Sequence, residues 1–307
     1  MKCLVTGGAG FIGSHIAERL VKEGHDVVVL DDMSAGKERN LKGFVDDIEV
    51  LVGDVTARYV DDLFGKYKFD VVFHEAASKK NICINSPIRD LGVNGGGTLN
   101  LLLASRKHGV KKFIHASTGS VYGEPTRMPQ TESDPIIPVS YYGVSKFAGE
   151  SYVRMFKDLD TTILRYFHVY GSRQEDDDML GGVIAIWIKN IILGRPVMIH
   201  GTGNQTRCFT YVKDIVDINM KCINKYNNMT FNCASGITIT LNEVLLLIKS
   251  KLGLMPKIKH TSNLEGDILN FNVSPRYIKE HLGINFTNIN DGLDDTVGYY
   301  KLLYKKV

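Results

Sequence analysis

Short apolar runs alternating with helix-periodic stretches set the layout of this chain. Cys3, Leu4 and Val5 form a run long enough for a buried strand and too short for a helix. Gly7, Gly8, Gly10 and Gly13 follow directly, and then Ile16, Ala17, Leu20 and Val21 recur at helical spacing until Gly24. A second apolar run, Val27 to Leu30, ends at Asp31. The same alternation predicts a strand near Ile48 to Val52, a helix around Tyr59 to Phe64 and a strand over Phe69 to Phe73. Beyond these it predicts a helix opened by Asn94 and ended by Gly109, and a strand over Lys112 to His115. Pro125, Pro129, Pro135 and Pro138 mark an extended or turning loop, after which Tyr141 enters a helix running through Phe156. Strands alternating with helices in this way call for an α/β fold with a parallel sheet.

The 307 residues allow one large domain or two modest ones, and a 44% apolar content is enough for a sizeable core. The formal net charge of +3 comes from interspersed acids and bases, so neither nucleic acid nor a membrane is the expected partner. Cys3, Cys83, Cys208, Cys222 and Cys233 are scattered without metal-ligand spacing, which reads as reduced, mostly buried thiols in a cytoplasmic protein with no metal site. Met1 is followed at once by the first strand, leaving no room for a signal peptide, and no apolar run nears the ~18 residues of a membrane span.

The glycine turn carries the first chemistry. Glycines let the backbone turn tightly and approach a pyrophosphate, whose charge then sits on unpaired N–H groups at a helix N-terminus. Gly8-Ala9-Gly10-Phe11-Ile12-Gly13 stands between a strand and a helix, and Asp31, at the end of the next strand, is placed to hold two ribose hydroxyls. A carboxylate there would repel a 2′-phosphate, which favours NAD over NADP, although Lys37 and Arg39 lie a few residues beyond. Asp54 reads either as an acceptor for an adenine amino group or as a turn residue before the following helix. The small residues after His74 would let the backbone pass close to a flat ligand, and His74 itself reads as a turn histidine rather than a catalyst. Tyr142 and Lys146 are four apart, hence on one helix face. An ammonium so close is expected to lower the phenol's pKa toward that of a hydroxyl-deprotonating base.

Taken in order, Thr6 to Gly13 (TGGAGFIG), Asp31, Gly53-Asp54-Val55, His74 to Ala77 and Asn94 to Thr98 continue into Ser117 to Gly123 (STGSVYG) and Tyr142 to Lys146. Leu164 to Gly171 (LRYFHVYG) and Gly201 to Asp214 (GTGNQTRCFTYVKD) complete a series that spans most of the chain. The series resembles the extended short-chain dehydrogenase/reductases, specifically the NAD-dependent nucleotide-sugar epimerase and dehydratase group, nearest in pattern to UDP-glucose 4-epimerases and UDP-glucuronate 4-epimerases. The resemblance implies a Rossmann-type doubly wound parallel sheet over 1–170, rejoined by 208–235, with a smaller C-terminal α/β substrate lobe formed by 171–207 and 236–307. In this layout Gly181 to Gly194 is helical, Val197 to His200 a strand, and Phe209 to Lys225 a strand and helix. Thr230 to Ala234 is a strand returning to the sheet, and 241–252 and Asp294 to Tyr304 are helices.

By the same resemblance Tyr142 is the base, Lys146 its partner at the nicotinamide ribose, and Thr118 the hydroxyl sharing the sugar's proton. Residues implied to hold NAD are Gly7, Gly10, Phe11, Ile12, Gly13, Asp31, Asp32, Ser34 and Gly36, then Asp54, Val55, Ala76, Ala77, Lys79, Asn94, Tyr142, Lys146 and Phe167. Those implied to hold the nucleotide sugar are Lys79, Thr118, Ser120, Tyr142, His168, Arg207 and Phe271, with Arg207 gripping the diphosphate through its fork of donors. The implied reaction is C4 epimerisation of a UDP-hexose through a 4-keto sugar, in a homodimer built from the helices near Asn94 and Tyr142. A dehydratase would need an acid just after Thr118, where Gly119 and Ser120 stand. Uronic acid and N-acetylhexosamine substrates stay open, because His168 replaces the usual Asn, Leu264 stands where many 4-epimerases have a second diphosphate arginine, and Phe271 falls near a size-selective position. A net reductase or an NAD-sensing protein without catalysis is the more distant alternative.

Overall fold

The computed structural model describes residues 1–78, 83–178, 181–262 and 270–304. Its central feature is a seven-stranded sheet in the spatial order Met229–Cys233, β6 (Asp160–Tyr166), β5 (Lys112–Thr118), β4 (Val71–His74), β1 (Lys2–Thr6), β2 (Asp26–Asp31) and β3 (Ile48–Val52). All pairings among β1 to β6 are parallel. Parallel strands covered on both faces must be apolar throughout, and β1, β2, β4 and β5 are buried along nearly their whole length. On one face Leu4, Val28, Val72 and Phe113 pack with Val60, Phe64, Leu101 and Val153 of the covering helices.

Strand order reverses between β1 and β4, and the crevice beyond the carboxyl ends of strands at such a switch point is where this architecture holds ligands. The Rossmann-type doubly wound sheet expected from the sequence is therefore the one observed.

By their contacts the residues form two compact units. The first comprises Met1–Gly123, Pro135–Tyr166 and Val216–Phe231, and the second Glu124–Asp134, Phe167–Ile215 and Asn232–Val307. Relative to the expected 1–170 plus 208–235, Glu124–Asp134 of the proline-marked loop, where Gln130 pairs with Val273, falls in the second unit, as do 167–170, 208–215 and 232–235. The second unit has its own core of three mutually packed helices, Val183–Ile192, Leu241–Leu252 and Ile289–Tyr304. Thr240 caps the middle one in a reciprocal box with Glu243, and Trp187 donates to the Met198 carbonyl at 3.0 Å. Strand Val197–His200, expected from sequence, pairs with Ile258–Thr261, which was not.

Two elements differ from expectation for identifiable reasons. Asn94 lies inside a π-helical turn, Gly92–Gly97, and the regular helix begins only at Thr98. The glycines allow this close approach: a Cβ on Gly97 would lie 2.6 Å from a Val55 methyl. Strand β5 runs on to Thr118 because its pairing with β6 continues to Thr118 and Tyr166, which carries Ser117 and Tyr166 to the crevice. All five cysteines are free and buried, as expected. Among the described residues, no helix is long and apolar enough to cross a membrane.

Candidate active site

A crevice of about 410 Å³ opens in the first unit at the switch point. Its floor is the glycine turn after β1. Gly7 takes a left-handed φ of +66°, and a Cβ there would sit 2.7 Å from the Ala76 nitrogen. A Cβ on Gly13 would sit 2.3 Å from the Gly7 carbonyl oxygen, so the turn closes only without one. The helix Phe11–Lys22 starts from Gly10 with no side chain capping it and no acid in its first turn. Its leading N–H groups are thus available to a pyrophosphate, and the cradle fits a dinucleotide.

At the β2 end, Asp31 is buried and accepts from the backbone N–H of Ala9 and of Met33, each at 2.9 Å. Burial raises its pKa while these bonds hold it down, and a carboxylate's remaining lone pairs still suit ribose hydroxyls. Asp32, Ser34, Gly36, Asp54 and Val55 line the same end. Asp54 is more than a turn residue: it accepts from Thr56 and also pairs with Arg89 at 2.7 Å, while Arg89 reaches Asp32 at 3.3 Å. Arg89 therefore bridges two of the expected cofactor residues from the helix Pro87–Leu91, and the sequence offered no local signal for it.

The other end carries the catalytic candidates. Tyr142 and Lys146 line the crevice with Ala76, Ala77, Ser117, Glu75 and Tyr166. Ser140 caps their helix, Tyr141–Met155, by accepting from the Gly143 N–H. Thr118 hydrogen-bonds Tyr142, and its Oγ1 also accepts from the Ser120 N–H at 3.1 Å and donates to Ser120 Oγ at 3.3 Å. Further along the same helix, Glu150 takes Arg165 bidentately at 2.7 and 2.8 Å and the Ser117 hydroxyl at 2.6 Å, all buried. This buried pair, not foreseen from the sequence, ties the catalytic helix to β5 and β6.

The expected acidification of Tyr142 is corrected. Burial pushes its phenol up to about 12, with Asp90, Cys83 and Glu75 adding to the rise and the Thr118 hydrogen bond opposing it. The same burial pulls Lys146 down to about 8 against Glu75, Glu150 and Asp90. Desolvation penalises both ions at once, and the neighbouring acids offset what the ammonium does for the phenolate.

Asn94 lies behind the crevice. It is fully buried, accepting from the Ser78 N–H at 2.9 Å and donating to Asp90 and Ser145 at 3.0 and 2.9 Å. Its amide is thus held by Ser78, Asp90 and Ser145, which ties it to the crevice wall through Ser78. His74, as expected, is a satisfied histidine: Thr6 and Thr98 hydroxyls hold its two nitrogens at 2.8 and 2.9 Å, and burial lowers its pKa to about 3.

Phe167, His168, Arg207 and Phe271 belong to the second unit. There the His168 ring meets Phe271 edge-on at 4.6 Å, and the Arg207 guanidinium lies over the Phe271 ring at 5.5 Å. Three of the expected substrate residues thus form one cluster, with Phe271 anchored by its N–H to Thr206 Oγ1 at 3.3 Å. Lys79 and Leu264 lie outside the described residues.

Comparison with known proteins points to one family. Residues 3–234 match the family described as NAD dependent epimerase/dehydratase. The UDP-glucose 4-epimerase of Mycolicibacterium smegmatis is 34% identical over 98% of the chain and 99% of its own length. The crystal structure of UDP-glucose 4-epimerase with UDP-glucose from Thermotoga maritima superposes with a TM-score of 0.94 at 34% identity, covering 99% of each chain. That of UDP-glucuronic acid 4-epimerase from Bacillus cereus, with UDP-glucuronic acid and NAD, gives 0.90 at 28% identity over 99% of this chain and all of its own (100%).

Proposed function

Because the chain belongs to the NAD-dependent epimerase/dehydratase family, we propose that it inverts C4 of a UDP-sugar, UDP-glucose and UDP-galactose foremost, through a transient 4-keto sugar. The observation that carries this reading is that Tyr142, hydrogen-bonded to Thr118, lines one end of the crevice with Lys146, while the other end suits a dinucleotide. NAD, when bound, would supply the hydride acceptor and a positive charge. Tyr142 takes the proton of the 4-hydroxyl, Thr118 sharing it through their hydrogen bond, and Lys146 favours the phenolate electrostatically. The hydride would return to the opposite face of C4 and the proton to the 4-oxygen, so no free NAD is consumed.

Arg207 holds the diphosphate in this reading, its planar fork suited to two phosphate oxygens, with Phe271 and His168 bounding the sugar or its 2-substituent. The hydroxyls of Thr118 and Ser120 could equally donate to a hexuronate carboxylate. That chemistry, with the likeness to the Bacillus cereus enzyme, supports UDP-glucuronate as the second substrate reading. Elimination of water lacks its acid at Gly119 and Ser120. A homodimer is part of the proposal, since Leu103, Val144 and Met155 leave apolar surface exposed on the helices Thr98–Lys107 and Tyr141–Met155.

The deciding experiment incubates the purified protein with UDP-glucose, UDP-galactose, their N-acetyl forms and UDP-glucuronate and resolves the C4 epimers. Interconversion without net change in free NAD is the expected outcome. Stoichiometric NADH formation would replace the epimerase reading with a dehydrogenase.

A further inference from the structure

Glu75 is a carboxylate that the reaction above does not use, yet it stands among the residues that do. It follows β4 directly, in a stretch otherwise made of Ala76, Ala77 and Ser78, and lines the crevice with Tyr142, Lys146 and Tyr166. Its placement is fixed at both ends. The Glu75 N–H donates to the Thr6 carbonyl at 3.1 Å. The Tyr166 hydroxyl donates to its Oε1 at 2.8 Å while accepting from Asn219 Nδ2 at 2.8 Å. A partly buried carboxylate costs free energy to keep ionised, so a hydrogen-bond relay built to hold one at this point invites a functional account.

We propose that Glu75 is a charge-balancing positioning residue, a carboxylate set at the catalytic end of the crevice to keep Lys146 protonated and to favour oxidised over reduced bound NAD. The oxidised nicotinamide ring carries a positive charge that disappears when a hydride brings its electron pair. A nearby negative charge stabilises only the oxidised form, and most strongly in a site shielded from water. Lys146 acts in the opposite sense, since two cations in one crevice repel; Glu75 offsets that repulsion. Without it, the crevice would hold NADH in preference to NAD+, and NADH cannot start a cycle.

The titratable groups acting on Glu75 among the described residues are Lys146 and Tyr142 from the helix and Tyr166 from β6, while His74, next to it in the chain, turns its ring to Thr6 and Thr98. His74 stays neutral above about 3, and Tyr142 stays protonated below about 12. Burial pushes Glu75 up to about 7, with Tyr166 and Lys146 resisting, so its charge changes across neutral pH while Lys146 titrates near 8.

The inference rests on NAD dependence and not on the identity of the sugar. To test it, holoenzyme is equilibrated with fixed NAD+ to NADH mixtures at about pH 6 and about pH 7.5, freed of unbound nucleotide and denatured, and the released forms are counted. In the unmodified protein the bound NAD+ to NADH ratio should rise with pH as Glu75 ionises. Glu75→Gln should shift the ratio toward NADH by about tenfold at the higher pH and flatten the pH dependence. A ratio within about twofold of the parent's at both pH values overturns the proposal. Should Glu75→Gln fail to fold, Tyr166→Phe removes the donor to the ionised carboxylate and should move the midpoint to higher pH; an unmoved midpoint is equally fatal. Absence of epimer formation with an intact pH-dependent ratio would sink the epimerase reading alone.

Discussion

The Thr118 hydroxyl hydrogen-bonds the phenol of Tyr142, so the residue that closes β5 meets the second residue of the helix Tyr141–Met155. The contact joins a proton-sharing hydroxyl to the candidate base. It also works against burial, which still leaves the phenol raised to about 12.

Replacing Tyr142 by Phe should therefore lower epimer interconversion by about 10²–10⁴-fold while bound NAD is retained. Thr118→Val should lose less, because the base stays. Chromatographic separation of C4 epimers beside nucleotide release on denaturation checks both, and full activity in Tyr142→Phe would falsify the catalytic assignment.

Lys146 gives a prediction about pH. Its folded pKa of about 8 lies below the ordinary 10.5, so between those values the unfolded chain binds more protons and stability rises with pH. Below about 8 both states are protonated and the cost of burying the ammonium is fully present. Nucleotide-free Lys146→Met should thus be more stable than its parent by up to about 3 kcal/mol at neutral pH, the gap closing toward pH 10.5. Denaturant melts across that range measure it; a gap independent of pH would count against the buried charge as its cause.

The buried Glu150–Arg165 pair should be costly to break from one side. Arg165→Met leaves the buried Glu150 carboxylate with only the Ser117 hydroxyl and the half-exposed Arg154 as partners, and should destabilise the protein by roughly 3 kcal/mol. Arg165→Met combined with Glu150→Leu should recover much of that loss, as read by urea midpoints.

Gly13→Ala tests the glycine turn. The added methyl would sit 2.3 Å from the Gly7 oxygen, so the turn must open. Nucleotide co-purifying with the protein should fall sharply, and stability should drop by about 1–3 kcal/mol.

Arg89→Ala separates binding from stability. The pairs that Arg89 makes with Asp32 and Asp54 are partly exposed, so the melting midpoint should move by less than about 1 kcal/mol equivalent. Dissociation of NAD, followed by dilution into excess competitor, should quicken; an unchanged rate would reduce the bridge to an ordinary surface contact.

What the sequence by itself determined is what local spacing encodes. The strand, glycine turn, helix and strand of Cys3 to Asp31 were legible because each glycine and apolar residue acts on its near neighbours. The pairing of Tyr142 with Lys146 followed from one helical turn, and the doubly wound sheet from alternating periodicities. Tertiary structure decided everything that depends on which distant groups share a desolvated space. It reversed the expected shift of Tyr142, bound the Asn94 amide to Asp90, and brought Arg89 across to Asp32 and Asp54. It also set Glu75 against Tyr166 and gathered His168, Arg207 and Phe271 into one cluster. Periodicity records which face a residue turns inward, whereas a pKa or an ion pair depends on charge, distance and water exclusion among residues far apart in the chain.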